Sequence, residues 1–315
     1  MKYKCAVLHE LNKPLSLEYL EIPPLMSGQV LVKVHLAGLC GSQLNEIHGI
    51  KGNDKYLPHL LGHEGYGTVV DVGKDVTKVK SGDNVILTWI KCNGLEGGAK
   101  RYGKYNAGSI TTFQEFSVIS ENRLVLAPFY NDVNKLALFG CMVPTGFGSV
   151  LNVNLGKSIR IFGVGNIGSA AIIAAKYASM EVYAVDISVD KLSYAKSLGA
   201  DFVSLPKDNL SKVDVALDTT GNVKVIEQAF DSINDTGTLI VVGNGVGKVS
   251  FDPFEFIKGK KIVGSWGGNC NLDVDIDFFA SIDISKIHII YYDLDNINKA
   301  IEEFPTSCGK MLLRC

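Results

Sequence analysis

Long apolar runs are missing from this chain. No stretch approaches the roughly 20 consecutive apolar residues that cross a bilayer, and the opening MKYKCAVLHELNKPL lacks the continuous apolar core of a signal peptide. A soluble, cytoplasmic protein with no membrane partner is therefore expected. Charge of one sign is also missing: Lys+Arg 31 against Asp+Glu 33 leaves a net charge of −2, with no long basic or acidic run. Nothing here would track a phosphate backbone, so nucleic acid is not an expected partner. The seven cysteines are odd in number and scattered, with no Cys-x-x-Cys pair. That excludes a disulfide framework or a compact zinc module, and any metal site must be assembled from distant segments. What the chain does have is 46% hydrophobic residues over 315 positions, enough for about two domains.

The first half reads as strands separated by turns. In GQVLVKVHLAGLC, residues Val30, Val32, Val34 and Leu36 alternate with positions that can face solvent, the period of a half-buried strand. TVVDV, NVILTW, TFQEFSVI and RLVLAP continue the pattern. From about residue 145 short apolar runs alternate with helical stretches: SIRIFGVG, NIGSAAIIAAKYASM, EVYAVD, VDKLSYAKSLGA, VDVALDTTG, VKVIEQAFDSI and GTLIVVG. Strands joined by helices of this length imply right-handed crossovers and a parallel sheet covered on both faces. Beyond Gly268 a helix at DLDNINKAIEEF and a closing strand at GKMLLRC are expected.

Within that second half, Gly163, Gly165 and Gly168 form Gly-x-Gly-x-x-Gly between a run of β-formers and an Ala/Ile-rich helix opened by Asn166 and Ile167. The first glycine permits the sharp turn, the second lets a pyrophosphate approach the backbone, and the third lets the helix pack closely on the sheet. The N–H groups of the helix start then face the anion. The next strand ends in Asp186, 18 positions past Gly168, where a carboxylate accepts hydrogen bonds from ribose hydroxyls and repels a 2′-phosphate. NAD is thus favoured over NADP. A methyltransferase binding an adenosyl cofactor is the rival for such a turn.

LAGLCGSQLNEIHG sets Cys40 and Ser42 just past a strand, LPHLLGHEGYGTVV sets His63 and Glu64 in a Gly-rich turn, and LFGCMVPTGFGSV sets Cys141 and Thr145 before the nucleotide-binding half. Intervals this long carry no ligand signature, and a free cysteine is more often an inert buried residue. Taken together, however, the Gly-x-Cys-Gly-Ser turn, the Gly-His-Glu turn after Pro58, and Gly-Cys followed by Thr-Gly resemble the zinc-dependent alcohol dehydrogenases of the medium-chain dehydrogenase/reductase family. GADFV, DTTG, VVG and GKMLL extend the resemblance over nearly the whole chain.

The resemblance implies one catalytic zinc held by Cys40, His63 and Cys141, with the fourth position open to water or substrate. It places Glu64 behind the metal, although a solvated turn residue is an equal reading of that position. It also implies that Ser42 hydrogen-bonds the substrate oxygen and starts a proton relay, and that Thr145 lies near the nicotinamide carboxamide. Trp89 falls either in the substrate pocket or in the barrel core.

Two positions depart from the family pattern. Gln43 stands where many relatives have an aspartate that orients the histidine ligand, which would leave the metal more electron-poor. Asn45 stands where many carry the relay histidine; His48, three residues on, is the candidate substitute, against a packing role. His9, His35, His59 and His288 receive no functional reading. The segment KCNGLEGGAKRYGKYNAGSITTF offers only Cys92 where the family's structural zinc needs four cysteines, so no structural zinc is expected and the segment reads as an exposed loop.

The expected architecture is α/β: a mainly β, GroES-like catalytic domain over 1–146 and 271–315, and a doubly wound Rossmann domain over 147–270. The expected activity is transfer of a hydride between NAD and a primary or secondary alcohol, which includes polyols, cyclitols and sugar-derived hydroxyls, giving an aldehyde or ketone. The partner is a small-molecule alcohol or carbonyl, and a homodimer or homotetramer is expected through edge strands GTLIVVG and KKIVGS. A non-catalytic NAD-binding structural or sensing protein and a zinc-free quinone or enone reductase of the same family are the other readings.

Overall fold

The structure, a computed structural model, describes residues 2–98, 100–153, 156–208 and 211–315. It packs into two compact units: Met1–Cys141 with Asn271–Ala280 and Ile289–Cys315, and Met142–Cys270 with Ser281–His288. Among the described residues no helix is long and apolar enough to cross a membrane.

The first unit is built on the strand Gln29–Gly38, at the centre of a seven-stranded sheet. It pairs antiparallel with Glu64–Val72, Phe116–Ser120 and Lys310–Arg314. The alternation in the sequence suggests one wet face, yet nearly the whole strand is buried. The reason is two cores. Val30, Val32 and Val34 pack with Val69, Val85, Leu87 and Leu313, while Leu31 joins a second cluster with Tyr3, Cys5, Val7 and Val118. A strand between two apolar layers has no face left for water. A smaller sheet orders Ser16–Glu21, Lys2–Leu8, His59–Leu60, Tyr105–Ala107 and Lys100–Tyr102.

The last two of those strands form a hairpin inside the segment that reads as an exposed loop. Apart from Ala99, which lies outside the described residues, that reading is corrected here. Tyr102 and Tyr105 are buried in the second cluster, and the Tyr102 hydroxyl accepts the Val118 N–H at 2.9 Å. Two aromatic bodies, both with their polar tips satisfied since the Tyr105 hydroxyl donates to the Glu18 carboxylate, anchor a stretch whose Gly and Lys content suggests solvent.

The short helix α1 (Gly41–Ile47) starts directly after the central strand, with Cys40 as its N-cap in extended conformation. Gln43, three residues on, reaches back so that its Oε1 accepts the Cys40 N–H at 2.9 Å. That is half of a capping box, and it ties a cysteine and an amide side chain into one turn.

The second unit carries a six-stranded, all-parallel sheet in the order Phe202–Ser204, Glu181–Val185, Ser158–Phe162, Val213–Asp218, Ile233–Val241, Lys261–Gly264. Counted along the chain this is 3-2-1-4-5-6, the Rossmann arrangement, whose ligand crevice lies where the winding reverses. Helix α2 (Met142–Leu151) packs against α3 (Asn166–Tyr177); a Cβ on Gly146 would come within 2.6 Å of the Ala170 Cβ.

Candidate functional site

The end of the central strand, the start of Glu64–Val72 and the residue preceding α2 bring four side chains together. One ligand atom each from Cys40, His63, Glu64 and Cys141 lies within 4.8 Å of all the others. His63 Nδ1 is engaged by Gln43 Nε2 in a close contact and by the Ser42 hydroxyl at 3.4 Å. That leaves Nε2, which is buried without a hydrogen-bond partner. A buried ring nitrogen with nothing to bond is costly unless something outside the protein completes it. With two sulfurs alongside, the donor set N, S, S suits a zinc ion with one coordination position left over.

The protonation pattern of the sulfurs fits the same purpose. The hydrogen bond from Cys141 holds the Cys40 thiol well below its usual range, against the effect of burial, and His63 adds to this. The reverse side of that bond, with burial, pushes Cys141 well up. Burial opposes charge on His63, but the neighbouring Cys40 sulfur and the Glu64 carboxylate outweigh it and raise its pKa. A cation between the two sulfurs would favour both as thiolates.

Glu64 is fully buried, so it is no solvated turn residue. Burial pushes its carboxyl up, with Lys310 opposing. Lys310, also fully buried, donates to Glu64 Oε1 and, at 2.9 Å, to the carbonyl of Leu39, the residue before Cys40. Glu64 Oε2 is buried without a partner. Gly38 and Gly140 are required by this packing: a Cβ on Gly38 would sit 2.6 Å from the Glu64 carboxyl carbon, and one on Gly140 would sit 2.9 Å from the Glu64 Cβ. Lys310 escapes a reading of the sequence, because nothing in GKMLL shows which distant acid it meets.

The Trp89 ring stands edge-on to His63, with centroids 6.3 Å apart, which places it beside the cluster. His48 is the C-cap of α1 and is exposed. His59, given no role from sequence, is buried, and its Nε2 lies 2.7 Å from Asp54 Oδ2 and 3.9 Å from Glu46 Oε1.

In the second unit Gly163 has φ +91, in the left-handed region, and a Cβ on Gly168 would lie 1.9 Å from the Gly163 carbonyl oxygen. Only glycine serves at either position. Gly165 is the N-cap of α3 without a side-chain cap, and a Cβ there would meet nothing within 4 Å. An open space at a helix N-terminus is where a pyrophosphate fits. Asp186 closes the turn from the neighbouring strand: its Oδ2 accepts the Val164 N–H at 2.7 Å and its Oδ1 the Ser188 N–H at 3.0 Å. Thr145, in α2, is buried with its hydroxyl unpartnered.

Comparison with known proteins agrees with both halves. Residues 26–129 match the description "Alcohol dehydrogenase GroES-like domain" and residues 166–282 match "Zinc-binding dehydrogenase". An S-(hydroxymethyl)glutathione dehydrogenase of Synechocystis is 30% identical over 318 residues, covering 85% of this chain and 86% of that protein. An alcohol dehydrogenase zinc-binding domain protein of Burkholderia ambifaria superposes with a TM-score of 0.89 at 26% identity, covering 100% and 99% of the two chains. An acetophenone reductase of Geotrichum candidum, solved in complex with NAD, shares the fold with a TM-score of 0.83 at 22% identity, covering 100% and 97%. The fold and site define an oxidoreductase of the medium-chain class. The chain belongs to the zinc-type alcohol dehydrogenases of that family.

Proposed function

We propose that the protein oxidises a small primary or secondary alcohol to the aldehyde or ketone, reversibly, with one zinc ion and NAD. The observation that carries this reading is the buried, unpartnered His63 Nε2 beside Cys40 and Cys141. Cys40, His63 and Cys141 would hold zinc, with Glu64 behind them. When bound, zinc polarises the alcohol oxygen and NAD takes up the hydride.

The rest is done by side chains of this chain. The two thiolates offset the double charge of the ion. The Ser42 hydroxyl contacts His63 Nδ1, and Lys310 holds both Glu64 and the Leu39 carbonyl ahead of Cys40. The Ser42 hydroxyl accepts the alcohol proton. The turn formed by Gly163, Gly165, Asn166, Ile167 and Gly168 would cradle the pyrophosphate, Asp186 would take the ribose hydroxyls, and the free Thr145 hydroxyl would receive the carboxamide. The carboxylate of Asp186 supports NAD over NADP, and the NAD complex of the Geotrichum relative agrees with that choice.

The test is direct. Purified protein should contain about one zinc per chain by elemental analysis, consistent with a single three-ligand site. It should reduce NAD, followed by absorbance, with members of a panel of secondary alcohols and polyols. Cys40→Ala should lose zinc and turnover together while NAD binding persists. NAD binding with no turnover of any alcohol in the zinc-loaded protein would reject the reading.

A further inference from the structure

A second group of metal-ligating side chains lies outside the cluster of Cys40, His63, Glu64 and Cys141. One atom each from Glu46, Asp54 and His59 lies within 4.8 Å of the other two. They come from three separate pieces of the first unit: Glu46 from α1, Asp54 from the segment that follows it, and His59 from the strand His59–Leu60. That strand is pinned between Lys2–Leu8 and Tyr105–Ala107, so the imidazole is carried on a fixed backbone.

The imidazole decides what the group can hold. His59 is 6% exposed, and its Nδ1 lies 3.0 Å from the Leu60 carbonyl, which accepts only, so Nδ1 carries the ring proton. Nε2 of the neutral ring is then a lone pair, yet it faces Asp54 Oδ2 at 2.7 Å and Glu46 Oε1 at 3.9 Å. Three acceptors thus converge with no donor among the three. A proton on Nε2 would satisfy the Asp54 contact alone, whereas a divalent cation satisfies all three atoms. The outer contacts are those that orient metal ligands: the Leu60 carbonyl fixes the histidine tautomer, and the Tyr56 N–H donates to Asp54 Oδ1 at 2.8 Å, leaving Oδ2 for the ring side. Bonds of about 2.0–2.1 Å put ligand atoms around a tetrahedral zinc roughly 3.3 Å apart. The two distances from Nε2 bracket that value. Glu46, its side chain 47% exposed, has room to swing in, and water can supply the fourth ligand from the same side.

We propose that Glu46, Asp54 and His59 form a second, partly exposed site for a first-row divalent cation such as zinc, which clamps the end of α1 to the strand leading into the turn of Gly62 and His63. One imidazole with two carboxylates suits such an ion, whereas calcium and magnesium ask for oxygen ligands. Two carboxylates match its double charge, with Lys51 offsetting part of theirs. Without thiolates, the site binds zinc less tightly than the cysteine cluster and fills after it. The inference does not rest on the dehydrogenase reading, since the two groups share no ligand.

The experiment titrates protein already holding one zinc per chain with zinc chloride alone, by calorimetry and thermal unfolding, in wild type, Glu46→Gln, Asp54→Asn and His59→Gln. Wild type should take up one further equivalent, saturably at micromolar free metal, and its unfolding midpoint should rise. Each variant should weaken that second step by about tenfold or more and remove the rise, with the first equivalent retained. Asp54 and Glu46 are outside the core, so their variants carry the test where the buried His59→Gln fails to fold. A wild type that takes up no second equivalent would show that a proton, not a metal, joins His59 to Asp54, and would overturn the proposal. So would a second equivalent that survives Asp54→Asn and Glu46→Gln, or calcium binding there as tightly as zinc. A second equivalent removed by Asp54→Asn in a protein that oxidises no alcohol would uphold this site and reject the dehydrogenase reading, whereas turnover without a second equivalent rejects this site alone.

Discussion

The amide of Gln43 faces His63 with its nitrogen, not its oxygen: Oε1 is occupied by the Cys40 N–H, so Nε2 meets His63 Nδ1. In that arrangement Gln43 donates to Nδ1 and the ring proton of a neutral His63 sits on Nε2, the very atom turned toward the two sulfurs. A ligating Nε2 needs the opposite tautomer, with Nδ1–H donating to an oxygen. The amide must turn over for metal to bind, and the Cys40 N–H then loses its acceptor. A carboxylate in place of the amide would have no such conflict, because one oxygen can serve Cys40 and the other His63. Gln43→Glu should therefore bind zinc about tenfold to a hundredfold more tightly, measured by competition with a chromophoric chelator. Unchanged affinity would show that the amide costs the site nothing.

Glu64 and Lys310 form an ion pair in which both side chains are inaccessible to solvent. Removing one partner leaves a buried charge without compensation, which costs about 3–5 kcal/mol. Lys310→Met should lower the unfolding free energy by that amount, read from denaturant titration, while the double variant Glu64→Gln with Lys310→Met should recover much of it, since the two neutral side chains no longer bury a lone charge. Because Lys310 also holds the Leu39 carbonyl, zinc affinity should fall in the single variant.

How far the sequence reveals these features depends on their range. The glycine turn is readable because strand, turn, helix and Asp186 follow one another within one βαβ segment, where each residue type answers a local steric demand. Cys40, His63 and Cys141 become candidates only through resemblance, since intervals of that length carry no periodic signal. Lys310 meets Glu64 across 246 positions, and His59 meets Glu46 from a different element, so neither pairing has any local trace. The hairpin of Tyr102 and Tyr105 reads as loop because glycine and lysine outnumber the two aromatics that anchor it. The central strand looks half-buried because alternation shows which residues differ, not how many layers cover them.

Glu96 ties down the chain around the Cys92 segment. Its carboxylate accepts from Ser109 and Ser120 at 2.8 Å each and from Asn122 at 3.4 Å, with Arg123 at 3.5 Å. Burial works against the charge, but these hydrogen bonds and Arg123 prevail and hold the group down at about 2. A carboxyl lowered on folding stabilises above its unfolded value near about 4.3, and that contribution is lost as pH falls from there through about 2. Since the side chain is 39% exposed, solvent screening limits the effect to about 1 kcal/mol. Glu96→Gln should thus be less stable than wild type at pH 7, and the gap should close below the folded pKa, as read by thermal or denaturant unfolding across pH. A gap independent of pH would mean that shape, not charge, holds this segment.

Asp186 carries the cofactor choice in the proposed reaction. Both of its oxygens already accept backbone N–H groups, from Val164 at the glycine turn and Ser188 beyond the strand, which fixes the carboxylate in place before any ribose arrives. Asp186→Asn keeps the size of the side chain and removes the charge that accepts from ribose hydroxyls and repels a 2′-phosphate. Hydrogen bonds to a charged group contribute about 1.5–3 kcal/mol, so KM for NAD should rise by about tenfold to a hundredfold with kcat little changed. Activity with NADP should rise relative to NAD in the same assay. Initial rates with each cofactor measure both effects, and an unaltered KM for NAD would remove Asp186 from the ribose site.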